Sequence, residues 1–322
     1  MMTTKQVLQK LEKAHNIAIF SHRAPDPDAY GSMFGMLGFC RQIGKNADVF
    51  LKDKTETNLS KIFPIEEAKT EFDEKQYDLV VVVDLHILDR VDECFQEKIK
   101  NFKNKVVIDH HAVGSDAEMF TKSARISPVA AASMIVVDLF RTAEIMPKKE
   151  TATHLYAGIM GDTDRFLHTN LSKQVFEDAI FLFESGAQVQ HIYDYMYRYT
   201  TPEEIRVNKA IYNRMKYLCE GRALYVIFTE KDCKKMHVNN EDIKQFSNTL
   251  INIKGVELAL LIYQLEKGVF KFSIRSSKVN LVPHVAKMGG GGHPCAAGFD
   301  FHGNVLQAKR LVKKFCEDVF NG

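Results

Sequence analysis

The chain has 322 residues, 45% of them hydrophobic and 26% charged, with a formal net charge of +2. That balance belongs to an ordinary globular protein with room for one large domain or two of common size. It excludes the broad basic field expected of a binder of long nucleic acid, and the absence of any apolar run of membrane-spanning length gives no membrane partner. The polar, amphipathic N-terminus has no signal-peptide apolar region, and the six Cys show no CxxC pairing. Both point to reduced, mostly buried thiols and a cytoplasmic protein.

In chain order, a helix is predicted over 4–15, with Val7, Leu8 and Leu11 on one side, and a strand over "NIAIF" (16–20). Met33, Phe34, Met36 and Leu37 give 31–40 a helical pattern. "ADVFL" (47–51), "YDLVVVVD" (77–84) and "NKVVID" (104–109) read as further strands, the last two almost uniformly apolar and ending in Asp. Apolar strands alternating with helices indicate a mostly parallel sheet covered by helices. In such sheets ligands bind at the carboxyl ends of the strands. Helices follow over 129–144, 150–161, 172–185 and 188–198, and those between 172 and 198 offer an apolar face for a homodimer. A charged, helix-like segment (201–217) leads to strands at 222–229, 256–265 and 269–277 and helices at 281–288 and 304–319. The expected fold class is therefore α/β, with a larger domain over 1–190, a linker over 191–215 and a smaller α/β domain over 216–322.

The chemistry-bearing residues of the first half stand at these strand and helix ends: His22, Asp26, Asp28, Asp84, Asp109, His110, His111 and Asp162. Singly, most have a bland reading. "HRAPDPDA" suits a turn with a helix cap, Asp84 suits a cap, and "GIMGDTDRF" suits a helix end. The adjacent His of "DHH" are rarely wanted for packing, and the joint occurrence decides for a cation site. Crowded carboxylates repel one another, and a divalent cation removes the conflict. Carboxylates and imidazoles without Cys suit Mn²⁺, Mg²⁺ or a related ion better than structural zinc. A pair of such ions can activate water and clamp a phosphoryl oxygen, which requires a bridging carboxylate; Asp84 is the natural candidate.

In the second half, "KMGGGGHPCAAGF" (287–299) holds four consecutive Gly, which are costly to order. Such a loop lets backbone N–H groups close on an anion. His293 follows it and Arg275, a residue type that holds phosphate with two parallel hydrogen bonds, ends a strand shortly before. No Lys-Ser/Thr follows, so it is not a P-loop. Cys295, Ala296 and Ala297 read as small packing residues.

"HRAPDPDAYGS", "VVVVDLH", "VIDHH" and "GIMGDTDRF" resemble, in order, the four motifs of the DHH phosphoesterase superfamily, which includes RecJ-type exonucleases, family II pyrophosphatases and the small NrnA-type enzymes. "SIRSSKVNLVPHVAKMGGGGHPCAAGF" resembles the DHH-associated C-terminal domain of the RecJ, NrnA-like and cyclic-dinucleotide enzymes rather than that of the pyrophosphatases. The resemblance implies one ion on His22, Asp26 and Asp84 and another on Asp28, Asp84, His110 and Asp162, with Mn²⁺ first and Mg²⁺ or Co²⁺ as substitutes. It implies that Asp109 orients an imidazole and that His111 faces the phosphate. Arg275, Gly289, Gly290, Gly291, Gly292 and His293 would bind the substrate's nucleotide end across a cleft that measures length. The implied activity is NrnA-type: hydrolysis of very short RNA to mononucleotides and removal of the 3′-phosphate of adenosine 3′,5′-bisphosphate. The alternatives are a phosphodiesterase for linear or cyclic signalling dinucleotides and, in another class, a nucleotide-binding protein without turnover. Two departures stand out: Asp164 where the fourth motif often has Gly, and Leu85-His86 where relatives commonly have a small polar residue after the strand-end Asp.

Overall fold

The structure, a computed structural model, describes residues 2–54, 58–111, 124–167, 170–240, 243 and 246–321. It divides into two units, Met1–Tyr199 and Thr200–Gly322. The first is built on a five-stranded parallel sheet of order β2-β1-β3-β4-β5. Its strands are β1 (Asn16–Phe20), β2 (Asn46–Val49), β3 (Leu79–Val83), β4 (Lys105–Asp109) and β5 (Ala124–Ile126). Central β3 is buried at every position, as an apolar run covered on both faces must be. Because β1, β3 and β4 are neighbours running the same way, the residues that follow them leave from one edge of the sheet.

The helices of this unit are α1 (Thr4–Lys13), α2 (Pro27–Gln42), α3 (Glu93–Asn101), α4 (Ala132–Thr142), α5 (Lys149–Asp162), α6 (Lys173–Glu184) and α7 (Val189–Tyr193), the last running into a π-helical turn at Asp194–Arg198. Helix α2 starts four residues before the predicted 31, because Pro27 fits a first helical turn and Asp26 caps it. The Asp26 Oδ1 accepts hydrogen bonds from the N–H groups of Asp28 (3.1 Å) and Ala29 (3.0 Å). Glycines let α2 lie closely antiparallel to α5. A Cβ at Gly31 would sit 2.8 Å from the Gly158 Cα, one at Gly35 2.3 Å from Leu155 Cδ2, and one at Gly38 2.1 Å from Thr151 Oγ1. That contact brings the start of α2 to the end of α5.

The second unit carries a mixed six-stranded sheet of order β10-β11-β9-β8-β7-β6. Its strands are β6 (Lys216–Leu218), β7 (Ala223–Phe228), β8 (Leu258–Glu266), β9 (Val269–Ser276), β10 (Gly291–His293) and β11 (Ala296–His302). Helix α8 (Pro202–Arg214) opens it with a capping box from Thr201 and Glu204. Val207 and Ile211 are fully buried in a cluster with Leu224, Val226 and Phe228, so much of the stretch expected as a linker is a packed helix. The helix Val305–Asn321 buries Ala308, Val312 and Phe315 against the other sheet-lining cluster.

The glycine-rich stretch is not simply a loop. Gly291–His293 pairs antiparallel with β11, Gly291 opposite Gly298 and His293 opposite Ala296. A Cβ at Gly290 would lie 2.4 Å from the Gly298 carbonyl oxygen, and one at Gly292, whose φ is +143°, would lie 2.5 Å from the Ala296 carbonyl oxygen. Close backbone approach therefore accounts for two of the four glycines, while Gly291 faces open space. The six cysteines are free, but Cys40, Cys233 and Cys316 alone are buried, which corrects the expectation of mostly buried thiols. Among the described residues, no helix is long and apolar enough to cross a membrane.

Candidate metal centre

Eight of the predicted residues come together at the carboxyl edge of the first sheet. His22 follows β1, Asp84 follows β3, and Asp109, His110 and His111 end and follow β4. Asp26 and Asp28 open α2, and Asp162 closes α5. Asp84 N–H donates to the Ile108 carbonyl at 2.8 Å, and the chain then turns through φ +56° at Asp84, a left-handed conformation that Asp tolerates better than most residues. Asp28 is fully buried, and its carboxylate accepts from the N–H groups of Ala132 (2.5 Å) and Ser133 (3.0 Å). It thereby closes the N-terminus of α4, where Ala131 has no side chain able to do so.

The two oxygens of Asp84 face different groups. Oδ2 lies 3.5 Å from His22 Nε2, which is 3.9 Å from Asp26 Oδ2. Oδ1 lies 3.3 Å from His110 Nε2, which is 3.2 Å from Asp162 Oδ2 and 3.9 Å from Asp28 Oδ2. Both imidazoles are set by their other nitrogen. His22 Nδ1 bonds the Arg23 carbonyl at 3.0 Å and His110 Nδ1 bonds the Val129 carbonyl at 3.2 Å. A carbonyl only accepts, so each Nδ1 carries a proton and each Nε2 is the atom left to face the carboxylates, with a lone pair once the ring is neutral. Asp84 Oδ1 and His110 Nε2 are buried without a hydrogen-bond partner. A buried carboxylate oxygen and imidazole nitrogen 3.3 Å apart, with no other partner among the described residues, fit a shared proton or a cation in its place. The donors are carboxylate oxygen and imidazole nitrogen throughout, the set that suits Mn²⁺, Mg²⁺ or a similar divalent ion.

The electrostatics point the same way. Relying on its own side chains, the cluster can relieve its charge only by holding protons. Burial, then the neighbouring carboxylates Asp28 and Asp26, pushes Asp162 up to about 9. Burial and Asp84 push Asp28 up to about 7. Burial draws His110 downward, but Asp84, Asp28 and Asp162 outweigh it and raise the imidazole to about 10. A divalent cation would replace those protons.

Asp109 is different. Its Oδ1 accepts from His111 Nδ1 (2.8 Å) and from the N–H groups of His110 (2.8 Å) and His111 (3.3 Å), while Oδ2 meets His86 Nδ1. Although burial opposes ionisation, the bonds from His111 and His86 hold it down to about 2. With both oxygens occupied, Asp109 orients His111 and leaves that ring's Nε2 as the atom with a free role. In the sequence His86 stands out only as a departure from the family pattern. Its position two residues after a strand-end Asp was the one signal for a buried partner of Asp109. The other departure, Asp164, does not join the cluster: it pairs with Arg165 at 2.9 Å. It opens a run of three left-handed residues, with φ +42° at Asp164 and +62° at Arg165 and Phe166. A position of that conformation explains why Gly is common there.

Gly158 guards the centre. A Cβ there would fall 2.1 Å from Ser133 Oγ and 2.8 Å from Asp28 Oδ1. Gly158→Ala is therefore expected to cost about 1–3 kcal/mol through overpacking. Displacement of Asp28 should also lower kcat, whereas Gly44→Ala, which meets nothing within 4 Å, should leave kcat unchanged. Melting curves and initial rates check both.

Arg275 and Gly289 to His293 lie in the second unit. Arg275, on β9, faces Ala296 of β11 across the ladder. Among the described residues its guanidinium bonds neutral groups, Asn248 Oδ1 at 2.7 Å and the Ile274 carbonyl at 3.1 Å.

Two family models match the chain: the DHH family, N-terminal domain, over residues 16–159, and the DHHA1 domain over residues 220–320. The chain is 28% identical over 312 residues to the bifunctional oligoribonuclease and PAP phosphatase NrnA of Mycoplasma pneumoniae, covering 95% of this chain and 92% of that one. It is 25% identical over 300 residues to the protein of the same name from Bacillus subtilis, covering 91% of each. The crystal structure of an exopolyphosphatase-related protein from Bacteroides fragilis shares the fold, with a TM-score of 0.90 at 23% identity over 98% of this chain and 95% of that one.

Proposed function

Because the chain belongs to the DHH family and carries a DHHA1 domain after the DHH domain, we propose that it is a two-metal phosphoesterase. It hydrolyses very short RNA to mononucleotides and removes the 3′-phosphate of adenosine 3′,5′-bisphosphate. The observation that carries the reading is Asp84, one carboxylate whose two oxygens serve separate His/Asp groups. Relatives bearing an oligoribonuclease and PAP phosphatase name align over nine-tenths of both chains.

His22, Asp26 and Asp84 would hold one divalent ion, Mn²⁺ first, and Asp28, Asp84, His110 and Asp162 the other. Bound there, such ions lower the pKa of water and neutralise charge on phosphoryl oxygens. The chain's own residues do the rest. The Nδ1 bonds of His22 and His110 hold their rings in the ligating tautomer. Asp109 and His86 fix His111, whose Nε2 meets the phosphate or the departing oxygen. Arg275, paired with no carboxylate among the described residues, and the backbone at Gly289 to His293 would bind an anionic group of the substrate.

The test is Mn²⁺-loaded protein with three substrates in parallel: an RNA dinucleotide, a long labelled RNA and adenosine 3′,5′-bisphosphate. Rapid cleavage of the first and third, with the long RNA barely touched, is the expected result. Preference for the long RNA, or turnover insensitive to a chelator, contradicts it.

A further inference from the structure

Beside the metal-ligand cluster, the first unit carries a tyrosine at every second position of "YDYMYRY" (193–199). A period of two does not belong to an α-helix. The backbone here is the π-helical turn, with Tyr199 N–H donating to the Asp194 carbonyl at 2.9 Å. Such turns are rare and concentrate at functional sites.

The turn sorts its rings into two rows. His191, Tyr195 and Tyr199 form one, with centroids 4.8 and 5.3 Å apart, and His191 Nε2 bonds the Lys61 carbonyl at 2.7 Å. Tyr193 and Tyr197 form the other, with centroids 6.2 Å apart and the Arg165 guanidinium 4.9 Å over the Tyr197 ring. This second row abuts the cluster. The Tyr197 hydroxyl donates to the Met160 carbonyl at 3.2 Å, two residues before Asp162. Met196 Cε lies 3.7 Å from where a Cβ of Gly161 would be, and that same point is 2.7 Å from Pro27, which separates Asp26 from Asp28. Tyr197 packs against the core and anchors the row. Tyr193 stands at its outer end, 42% exposed.

We infer that Tyr193, backed by Tyr197 and Arg165, is a stacking platform for the base of a dinucleotide's second nucleoside, the one that adenosine 3′,5′-bisphosphate lacks. Rings beside a phosphate-handling centre match a nucleotide, whose base presents a flat π-face of any sequence. An Arg stacked on the row adds attraction for the electron-rich ring system. The inference rests on the phosphoesterase reading for the placing of the phosphate, and it deepens that reading by naming where a base lies.

The chain contains no Trp, so Tyr193→Trp supplies a single fluorescent reporter. An RNA dinucleotide added to the metal-stripped variant should quench its emission, and inorganic phosphate should not. In the Mn²⁺-loaded enzyme, Tyr193→Ala should raise KM for the dinucleotide about tenfold relative to KM for the bisphosphate. Tyr193→Trp should restore the ratio. No quenching up to millimolar dinucleotide, or equal changes in the two KM values, overturns the platform. Were the wild type to cleave neither substrate, the functional reading would fall, while the quenching titration would still decide the stacking.

Discussion

Asp84→Asn is expected to lower kcat by about a thousandfold or more while leaving the fold intact. The substitution is nearly isosteric, and Asn tolerates the left-handed φ of +56° as well as Asp does. What it removes is specific. An amide has one oxygen, so it can serve the His22 group or the His110 group but not both, and it carries no charge. Since Oδ2 lies 3.5 Å from His22 Nε2 and Oδ1 3.3 Å from His110 Nε2, one group loses its shared ligand whichever way the amide turns. Initial rates with the dinucleotide, together with circular dichroism and a melting curve, check it. An Asp84→Asn protein that folds and keeps most of its activity refutes the bridging role.

The metal-stripped protein is expected to lose stability as pH rises from about 4 to about 9. Asp28 and Asp162 keep protons in the folded chain to about 7 and about 9, against 3.8 for an ordinary Asp. His110 keeps its proton to about 10, against 6.5. Each binds more protons folded than unfolded between its ordinary and its folded value: Asp28 from 3.8 to about 7, Asp162 from 3.8 to about 9 and His110 from 6.5 to about 10. Stability therefore falls as pH climbs through the folded values. Asp109, held down to about 2, works in the other direction, but only below the ordinary carboxylate value. Divalent ions displace the protons, so the rise in Tm on adding Mn²⁺ should grow with pH. Melting curves in chelator and in Mn²⁺ between about pH 5.5 and pH 8.5 test this. A stripped protein whose Tm is flat or rising over that range contradicts the crowded-carboxylate account.

The sequence carried the sheet and the centre well, for a physical reason. Strands buried on both faces must be apolar throughout, so β1, β3 and β4 stood out within a residue or two of their ends. The polar residues that interrupt them were then conspicuous. Less was legible where a role depends on contact across the fold. His86 meets Asp109 only because β3 and β4 are neighbours, and Asp28 closes α4 from 104 residues away. Strand β5 spans three residues, too few for a pattern. The four glycines read as an anion loop, although Gly290 and Gly292 answer to the closeness of β11. The helix read over 188–198 takes in Tyr193, Tyr195 and Tyr197, because hydrophobic content alone does not separate a π-turn from an α-helix.

The measurement that tests the central claim most directly is a count of Mn²⁺ bound per chain, made by titration calorimetry with electron paramagnetic resonance on the same samples. The wild type should bind two ions whose spectra show exchange coupling, and Asp84→Asn should bind at most one, uncoupled. A wild type that binds a single ion, or two uncoupled ions unaffected by Asp84→Asn, would contradict a paired centre built on that carboxylate.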